Sequence, residues 1–364
     1  MDETVELLSR LVGLDSVNPA LVRGGAGEGA IASFVADWAA GCGLAVTRLE
    51  AVAGRPSVVV RAPGSGGGRT LLLCGHLDTV GVGGMAGDPF AARVDGDRLH
   101  GRGAYDMKAG VAAALLACRA AAELQLRGDV LVACVADEEH ASLGVQEVLA
   151  AGVRADGAIV TEPTGGEVIV AHKGFVWSKL TFRGRAAHGS RPDEGADAIV
   201  AAGPALVRLA ELDAGLPSHA LLGRASVHAS LIRGGVELSS YPGECVLSIE
   251  RRTLPGETVA DVEAEVAALI GSADASARTL LAREPFAIDP SHEFVRRVRG
   301  AAGEAPVAGA AYWTDAAFIA AAGIPTVLYG PGGDGAHADV EWVSLSDTAA
   351  VTRTLVAVAQ EFCA

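Results

Sequence analysis

Two histidines and a set of carboxylates stand just beyond short apolar runs of this chain, and as residue types they are the makings of a metal centre. His76 and Asp78 follow the run 70–74, and Asp137, Glu138 and Glu139 follow the run 130–135. Glu162 follows 158–160, and His337 lies beyond 326–329 and a Gly330-Pro331-Gly332-Gly333 loop. Asp106 heads a helical stretch after His100-Gly101-Arg102-Gly103. Singly, each has an ordinary explanation: a helix N-cap for Asp106, a solvated loop for Glu138 and Glu139, a structural role for a histidine after a strand. Their coincidence on one rim of one sheet is what argues for chemistry.

Imidazole and carboxylate ligands without cysteine suit zinc in an open, catalytic site. A two-metal centre needs a carboxylate that bridges ions about 3.5–4 Å apart. A further carboxylate must stay off the metals to take a proton from the attacking water. Adjacent Glu138 and Glu139 can divide these roles, because neighbouring side chains in extended chain point apart. Asp78, two residues from His76, is expected to turn its carboxylate back onto the far imidazole nitrogen.

The elements that must position these groups follow from the pattern of apolar residues. The runs 70–74, 130–135, 158–160 and 326–329 are short, apolar on both faces and rich in Val, Leu or Ile, as strands covered on both sides are. Helices are expected at 4–14, 30–40 and 107–124. This alternation predicts an α/β fold with a mixed, mostly parallel sheet covered by helices. Such sheets bind ligands at the carboxyl ends of their strands, where the candidate residues collect. From about 174 to 283 the texture changes. Strands at 176–182, 226–232, 245–250 and 277–282 and helices at 197–212 and 258–270 give the order β-α-β-β-α-β, that of a split βαβ unit. Thr258 is the expected N-cap of the second of these helices. The expected organisation is a catalytic domain of residues 1–173 and 284–364, interrupted by an inserted α+β lid domain of residues 174–283.

Composition narrows the partners. The chain has 364 residues, half of them apolar, and a formal net charge of −15. So acidic a chain is a poor partner for nucleic acid or an anionic membrane. No apolar run reaches about 18 residues without a charge or breaker, and no basic patch and apolar stretch of a signal peptide opens the sequence. A soluble cytoplasmic enzyme acting on a small molecule is the expectation. The six cysteines form no C-x-x-C pair, and Cys74 and Cys134 lie inside apolar runs, as buried free thiols do. There is no G-x-S-x-G of a serine hydrolase and no G-x-x-x-x-G-K of a nucleotide enzyme.

With these residues placed, the chain resembles the aminoacylase and carboxypeptidase family of co-catalytic zinc enzymes. That family includes acetylornithine deacetylase, succinyl-diaminopimelate desuccinylase and glutamate carboxypeptidases. The resemblance spans nearly the whole chain. It is carried by Gly75-His76-Leu77-Asp78-Thr79-Val80, Gly101-Arg102-Gly103-Ala104-Tyr105-Asp106-Met107-Lys108, Asp137-Glu138-Glu139 and Gly335-Ala336-His337-Ala338-Asp339-Val340-Glu341-Trp342-Val343. It implies a catalytic α/β domain interrupted by a lid, and two Zn2+ ions, with Co2+ or Mn2+ as substitutes. One ion would be held by His76 and Glu162, the other by Glu139 and His337, with Asp106 bridging. Glu138 is implied to be the general base and then the acid that protonates the leaving amine. A cis peptide after Asp106 is implied as well.

The resemblance extends to the lid. Ala187-His188-Gly189-Ser190 resembles the segment whose histidine steadies the scissile carbonyl oxygen. In dimeric members this histidine comes from the partner subunit, so a homodimer through the lid is implied. Glu250-Arg251-Arg252-Thr253-Leu254-Pro255-Gly256-Glu257 resembles the segment whose arginine grips the substrate carboxylate. Arg252 matches best, with Arg251 or a purely structural ion pair as the alternatives. Gly332 and Gly333 can offer backbone N–H groups to the same carboxylate. One departure concerns the stretch after Gly234-Gly235, where many members place an asparagine that contacts substrate. Here Ser239 takes that position, with a shorter reach and no amide. The function implied is hydrolysis of the amide bond of a small N-acyl amino acid with a free carboxylate. A dipeptidase or carboxypeptidase with the same site is the alternative. A catalytically dead binding protein would lack a ligand or the base, and none is missing.

Overall fold

The strands Leu71–His76, Val130–Val135, Gly157–Val160 and Thr326–Leu328 are buried at every residue. Side chains leave a strand alternately to its two faces, so burial throughout requires cover on both. The structure, a computed structural model, describes residues 3–364. It divides into two compact units: Met1–Val170 with Ile288–Ala308 and Thr314–Ala364, and Ala171–Ala287 with Gly309–Trp313.

In the larger unit these four strands pair in parallel, in the spatial order Val130–Val135, Leu71–His76, Gly157–Val160, Thr326–Leu328. The register sets His76 beside Val135 and Cys74 beside Val160, so the carboxyl ends share one rim. Antiparallel strands flank this centre. Ser57–Ala62 and then Ala45–Leu49 extend it past Val130–Val135, and Val168–His172 lies beyond Thr326–Leu328. The sheet is therefore mixed, with a parallel core.

The helix Ala109–Glu123 has eleven of its fifteen residues buried, most of them alanine, and packs against Leu345–Phe362 and the sheet. Small side chains let it lie close. A Cβ on Gly110 would stand 1.9 Å from the carbonyl oxygen of Thr161, so only glycine brings the helix this near the chain that leads to Glu162. Regular helix begins at Ala109 and not at 107. Ahead of it, Ala104–Lys108 forms an irregular turn in which Asp106 (φ −115°, ψ 95°) and Met107 (φ −134°, ψ 34°) depart from helical values. The Asp106–Met107 peptide is cis.

The smaller unit has its own core. Val176, Leu180 and Phe182 of Gly174–Arg183 meet Cys245, Leu247 and Ile249 of Glu244–Thr253 beneath two helices, Ala198–Gly215 and Val259–Ile270. The four-stranded sheet is antiparallel throughout, in the order Ser226–Gly234, Glu244–Thr253, Gly174–Arg183, Ala275–Arg283. With its helices it has the chain order of a split βαβ unit. Asp197 caps the first helix through the N–H groups of Ile199 and Val200. Thr258 and Asp261 form a reciprocal capping box at the second. All six cysteines are free, and Cys74 and Cys134 are buried. Among the described residues no helix is long and apolar enough to cross a membrane.

Candidate active site

The strand ends of the larger unit deliver the candidate residues to one place. His76 closes Leu71–His76, and Glu138 and Glu139 lie on the turn after Val130–Val135. Glu162 follows Gly157–Val160, and His337 comes after the glycine-rich loop beyond Thr326–Leu328. His76 Nε2 stands 3.1 Å from Asp106 Oδ1, and His337 Nε2 stands 3.2 Å from Asp106 Oδ2. His337 Nε2 also lies 3.1 Å from Glu139 Oε2. Donor atoms of His76, Asp106 and Glu139 all fall within 4.8 Å of one another. Asp106 thus offers one oxygen to each of two imidazoles.

The charges in this cluster are unbalanced. Burial pushes the Glu138 carboxyl well above the usual carboxylate range, with repulsion from Glu162, Asp315 and Glu139 adding to it. Burial raises Glu162 to about 8, against the pull of His76 and with repulsion from Asp106 and Glu139. Glu139 is raised for the same first reason. Asp106 moves the other way: burial opposes its charge, but hydrogen bonds from His337 and His76 hold it below its ordinary range. The His337 imidazole is raised to about 10 by its bonds to Asp106 and Glu139. Four carboxylates and two imidazoles, with His76 and Glu162 buried and His337 exposed, call for more positive charge than imidazolium supplies. The donors are oxygen and nitrogen, they converge, and they are rich in negative charge. That set fits divalent metal.

Asp78 departs from the sequence expectation. Its carboxylate lies 3.8 Å from His76 Nδ1, whereas its backbone carbonyl accepts from that nitrogen at 2.9 Å. The carboxylate is drawn away by three donors, the N–H groups of Glu138 (3.1 Å) and Glu139 (3.2 Å) and the Asn18 amide (2.8 Å). One carbonyl suffices to fix the imidazole tautomer, which frees the carboxylate to hold the turn.

Sequence reasoning missed several groups that support the site. Glu341 is buried, and its carboxylate accepts the N–H groups of Gly103 (3.0 Å), Tyr105 (2.9 Å) and Asp106 (3.0 Å) and one nitrogen of Arg102 (2.7 Å). The loop that carries Asp106 is wound around it. Glu28, Arg55 and Asn18 bear on the turn at Asp137 in the same fashion. The signal was faint: Arg102 and Glu341 sit inside motifs quoted above, but no spacing rule links positions 239 residues apart.

The smaller unit carries the remaining candidates. His188 is exposed and pairs with Ser240 in a short antiparallel bridge, its Nδ1 2.8 Å from Ser190 Oγ. The carbonyl of exposed Ser239 accepts the Gly189 N–H at 2.6 Å, so Ser239 and His188 lie side by side. Arg251 is buried and spends its guanidinium on Glu265 (2.9 Å) and Glu257. It is therefore the structural ion pair among the alternatives. Arg252 keeps a third of its side chain exposed, pairs with Glu250 at 2.9 Å and lies over the Phe175 ring. Back in the larger unit, a Cβ on Gly332 would come within 2.4 Å of Asp347 Oδ2, and one on Gly333 within 2.4 Å of the Trp342 carbonyl. The backbone contact excludes a side chain at Gly333, whereas at Gly332 the Asp347 carboxylate would have to swing aside.

Residues 72–361 match the model of Peptidase family M20/M25/M40. An acetylornithine deacetylase of Myxococcus xanthus is 31% identical over 319 residues, 82% of this chain and 82% of that protein. The crystal structure of aminopeptidase PepT from Bacillus cereus superposes with a TM-score of 0.82 at 20% identity, covering 100% of this chain and 99% of that one. A dinuclear metal binding peptidase of the M20 family from Bacillus subtilis superposes with a TM-score of 0.75 at 15% identity, covering 99% and 97%. By the match over most of its length and by the identity to a curated relative, this chain belongs to peptidase family M20/M25/M40 and is a hydrolase of amide bonds.

Proposed function

We propose that this protein hydrolyses the amide bond of a small N-acyl amino acid with a free carboxylate, with two zinc ions as its cofactor. His76 and Glu162 would hold one ion, Glu139 and His337 the other, and Asp106 would lie between them. The observation that carries the reading is the Asp106 carboxylate, which turns one oxygen to each imidazole at 3.1 and 3.2 Å. Bound there, the metals would acidify a water and polarise the substrate carbonyl. Co2+ or Mn2+ would serve as substitutes.

The chain's own part rests on Glu138. It is partly buried, and desolvation with the repulsion of neighbouring carboxylates raises its affinity for a proton. A group so tuned takes the proton from the attacking water and returns it to the leaving nitrogen. Its backbone N–H is held by Asp78, and the next residue, Glu139, faces His337. Catalysis needs that division, with one carboxylate free for protons and its neighbour committed to the metal. His188 is assigned to the scissile carbonyl oxygen. Arg252 is assigned to the substrate carboxylate, with Ser239, Gly332 and Gly333 as further substrate contacts. A homodimer through the smaller unit and a cytoplasmic setting belong to the same proposal.

The deacylase reading is favoured by the 31% identity to an acetylornithine deacetylase over 82% of both lengths. A dipeptidase or carboxypeptidase acting through the same residues is the second reading, and the match to a peptidase family model favours it. The two separate on a panel of N-acetyl, N-succinyl and N-formyl amino acids run beside dipeptides with zinc-loaded protein. Faster release of amino acid from the acylated set supports the first reading. A preference for dipeptides replaces it with the second. Turnover of neither set sinks both.

A further inference from the structure

The turn that carries Glu138 and Glu139 is gripped by buried polar groups that the chemistry above leaves without a role. Three consecutive backbone N–H groups each donate to a carboxylate from a distant part of the chain. The Asp137 N–H goes to Glu28 at 3.1 Å, and those of Glu138 and Glu139 go to the two oxygens of Asp78 at 3.1 and 3.2 Å. These carboxylates are themselves tied together. Asn18 spends its amide nitrogen on Asp78 (2.8 Å) and Asp137 (3.0 Å). Its amide oxygen accepts the Ala20 N–H at 2.9 Å, which fixes which way the amide faces. Arg55 donates Nε and Nη2 to Glu28 and the same Nη2 to Asp137, all at 2.7 Å. Asn18, Glu28, Asp78 and Asp137 are fully buried.

Stability alone is a poor account of this arrangement. Two carboxylates, Glu28 and Asp137, share one guanidinium while Asp78 has only neutral donors, and burying charge costs more desolvation than pairing returns unless every partner is well placed. Asp137 also sits at φ 66°, a left-handed conformation that glycine adopts at less cost. The arrangement does fix the backbone of two adjacent residues whose side chains have opposite tasks. We propose that Asn18, Glu28 and Arg55 are positioning residues for catalysis: through Asp78 and Asp137 they lock the turn, so that Glu138 aims at the reacting water and Glu139 at the metal. The inference rests on the reading of Glu138 as base and Glu139 as ligand. Proton transfer depends on hydrogen-bond reach, and a turn free to rock by an ångström loses rate before it loses metal.

Two single variants of the full chain test this. Asn18→Ala removes two donors without changing charge. Arg55→Lys keeps the charge but lacks the fork that spans Glu28 and Asp137. Each is compared with the parent and with Glu138→Ala. Kinetics use zinc-loaded protein on the N-acetyl amino acid that the parent cleaves fastest. Hydrogen exchange of the peptide covering 136–142 is followed in metal-free protein. The expected result is kcat at least tenfold lower with KM within twofold, zinc content unchanged, and exchange at the turn at least tenfold faster. The helix Ala109–Glu123 should stay as protected as in the parent. Unchanged exchange at the turn overturns the proposal, as does kcat within twofold of the parent. Loss of zinc in step with kcat would make the network a scaffold for the metals and overturn it as well. Loss of protection throughout both variants would make it purely structural. A fully active Glu138→Ala would instead sink the assignment of the base. An inactive Glu138→Ala beside a fully active Asn18→Ala removes only the positioning role.

Discussion

Arg102 and Glu341 form a buried ion pair at 2.7 Å, and the same carboxylate gathers the N–H groups of Gly103, Tyr105 and Asp106. Removing one partner of such a pair leaves a bare charge in the interior, which costs about 3–5 kcal/mol. Glu341→Ala should therefore lower the Tm of the metal-free protein by roughly 6 °C or more. Glu341→Gln keeps an acceptor for the N–H groups and should lose less. Calorimetry of the three proteins checks this, and a Glu341→Ala melt within 2 °C of the parent would contradict it.

Glu138 and Asp106 should fail in different ways. Glu138→Ala is expected to keep its metals and lose about four orders of magnitude in kcat, since one group serves as both base and acid. Asp106→Ala removes the carboxylate that bonds to both imidazoles and should lose metal outright. Elemental analysis beside kinetics distinguishes them. Full metal stoichiometry in Asp106→Ala would refute the central place given to that residue.

Asp78 offers a contrast between two views of one residue. If its carboxylate oriented His76, Asp78→Asn would weaken metal binding. The structure gives that task to the Asp78 backbone carbonyl, so Asp78→Asn should retain its metals. An amide there has one acceptor oxygen for three donors and sets an NH2 against a backbone N–H. We expect kcat to fall about 10- to 100-fold with metal content unchanged, this being the usual cost of losing a supporting partner. Loss of metal would assign the orientation of His76 to the carboxylate instead.

The cysteines should be silent in the native protein. Burial pushes the thiols of Cys118 and Cys363 up to about 12 and that of Cys134 higher still, and only Cys42 is less than buried. Thiolate is the reactive form. A thiol reagent at pH 8 should find at most one reactive group before denaturant and six after. Rapid native labelling of two or more would show that the core opens.

Helix packing gives a last test. Gly110→Ala would push a methyl group into the Thr161 carbonyl and should cost about 1–3 kcal/mol, as overpacking does. It should weaken metal binding too, because Glu162 follows Thr161. A neutral effect on melting would mean that the helix can shift freely.

Much of this architecture was legible in the sequence, for a definite reason. The four parallel strands are covered on both faces, so they read as unbroken apolar runs, and the residues just past them carry the site. The flanking strand Ala45–Leu49 is largely open to solvent and contains Thr47 and Arg48, so it leaves no such run. The irregular turn before Ala109 left no mark in the apolar pattern, because Asp106 and Met107 are compatible with a helix start by type; only the family resemblance implied its cis peptide, and bonds from Tyr105 and Asp106 to Glu341 hold the turn. Asn18, Glu28 and Arg55 lie far from the motifs in sequence. Buried polar partners chosen across such distances obey no period, and pattern reading cannot pair them.

Thr326–Leu328 is made well after both of its neighbours in the sheet, yet it lies between them, Gly157–Val160 on one side and Val168–His172 on the other. Until that segment has left the ribosome, those two earlier segments hold a vacant slot with unsatisfied ladder bonds on either side. Pairings of such long range close slowly and leave sticky margins while they wait. Nascent chains halted before that segment emerges should be the form that chaperones bind, and truncations short of it should be insoluble rather than merely inactive.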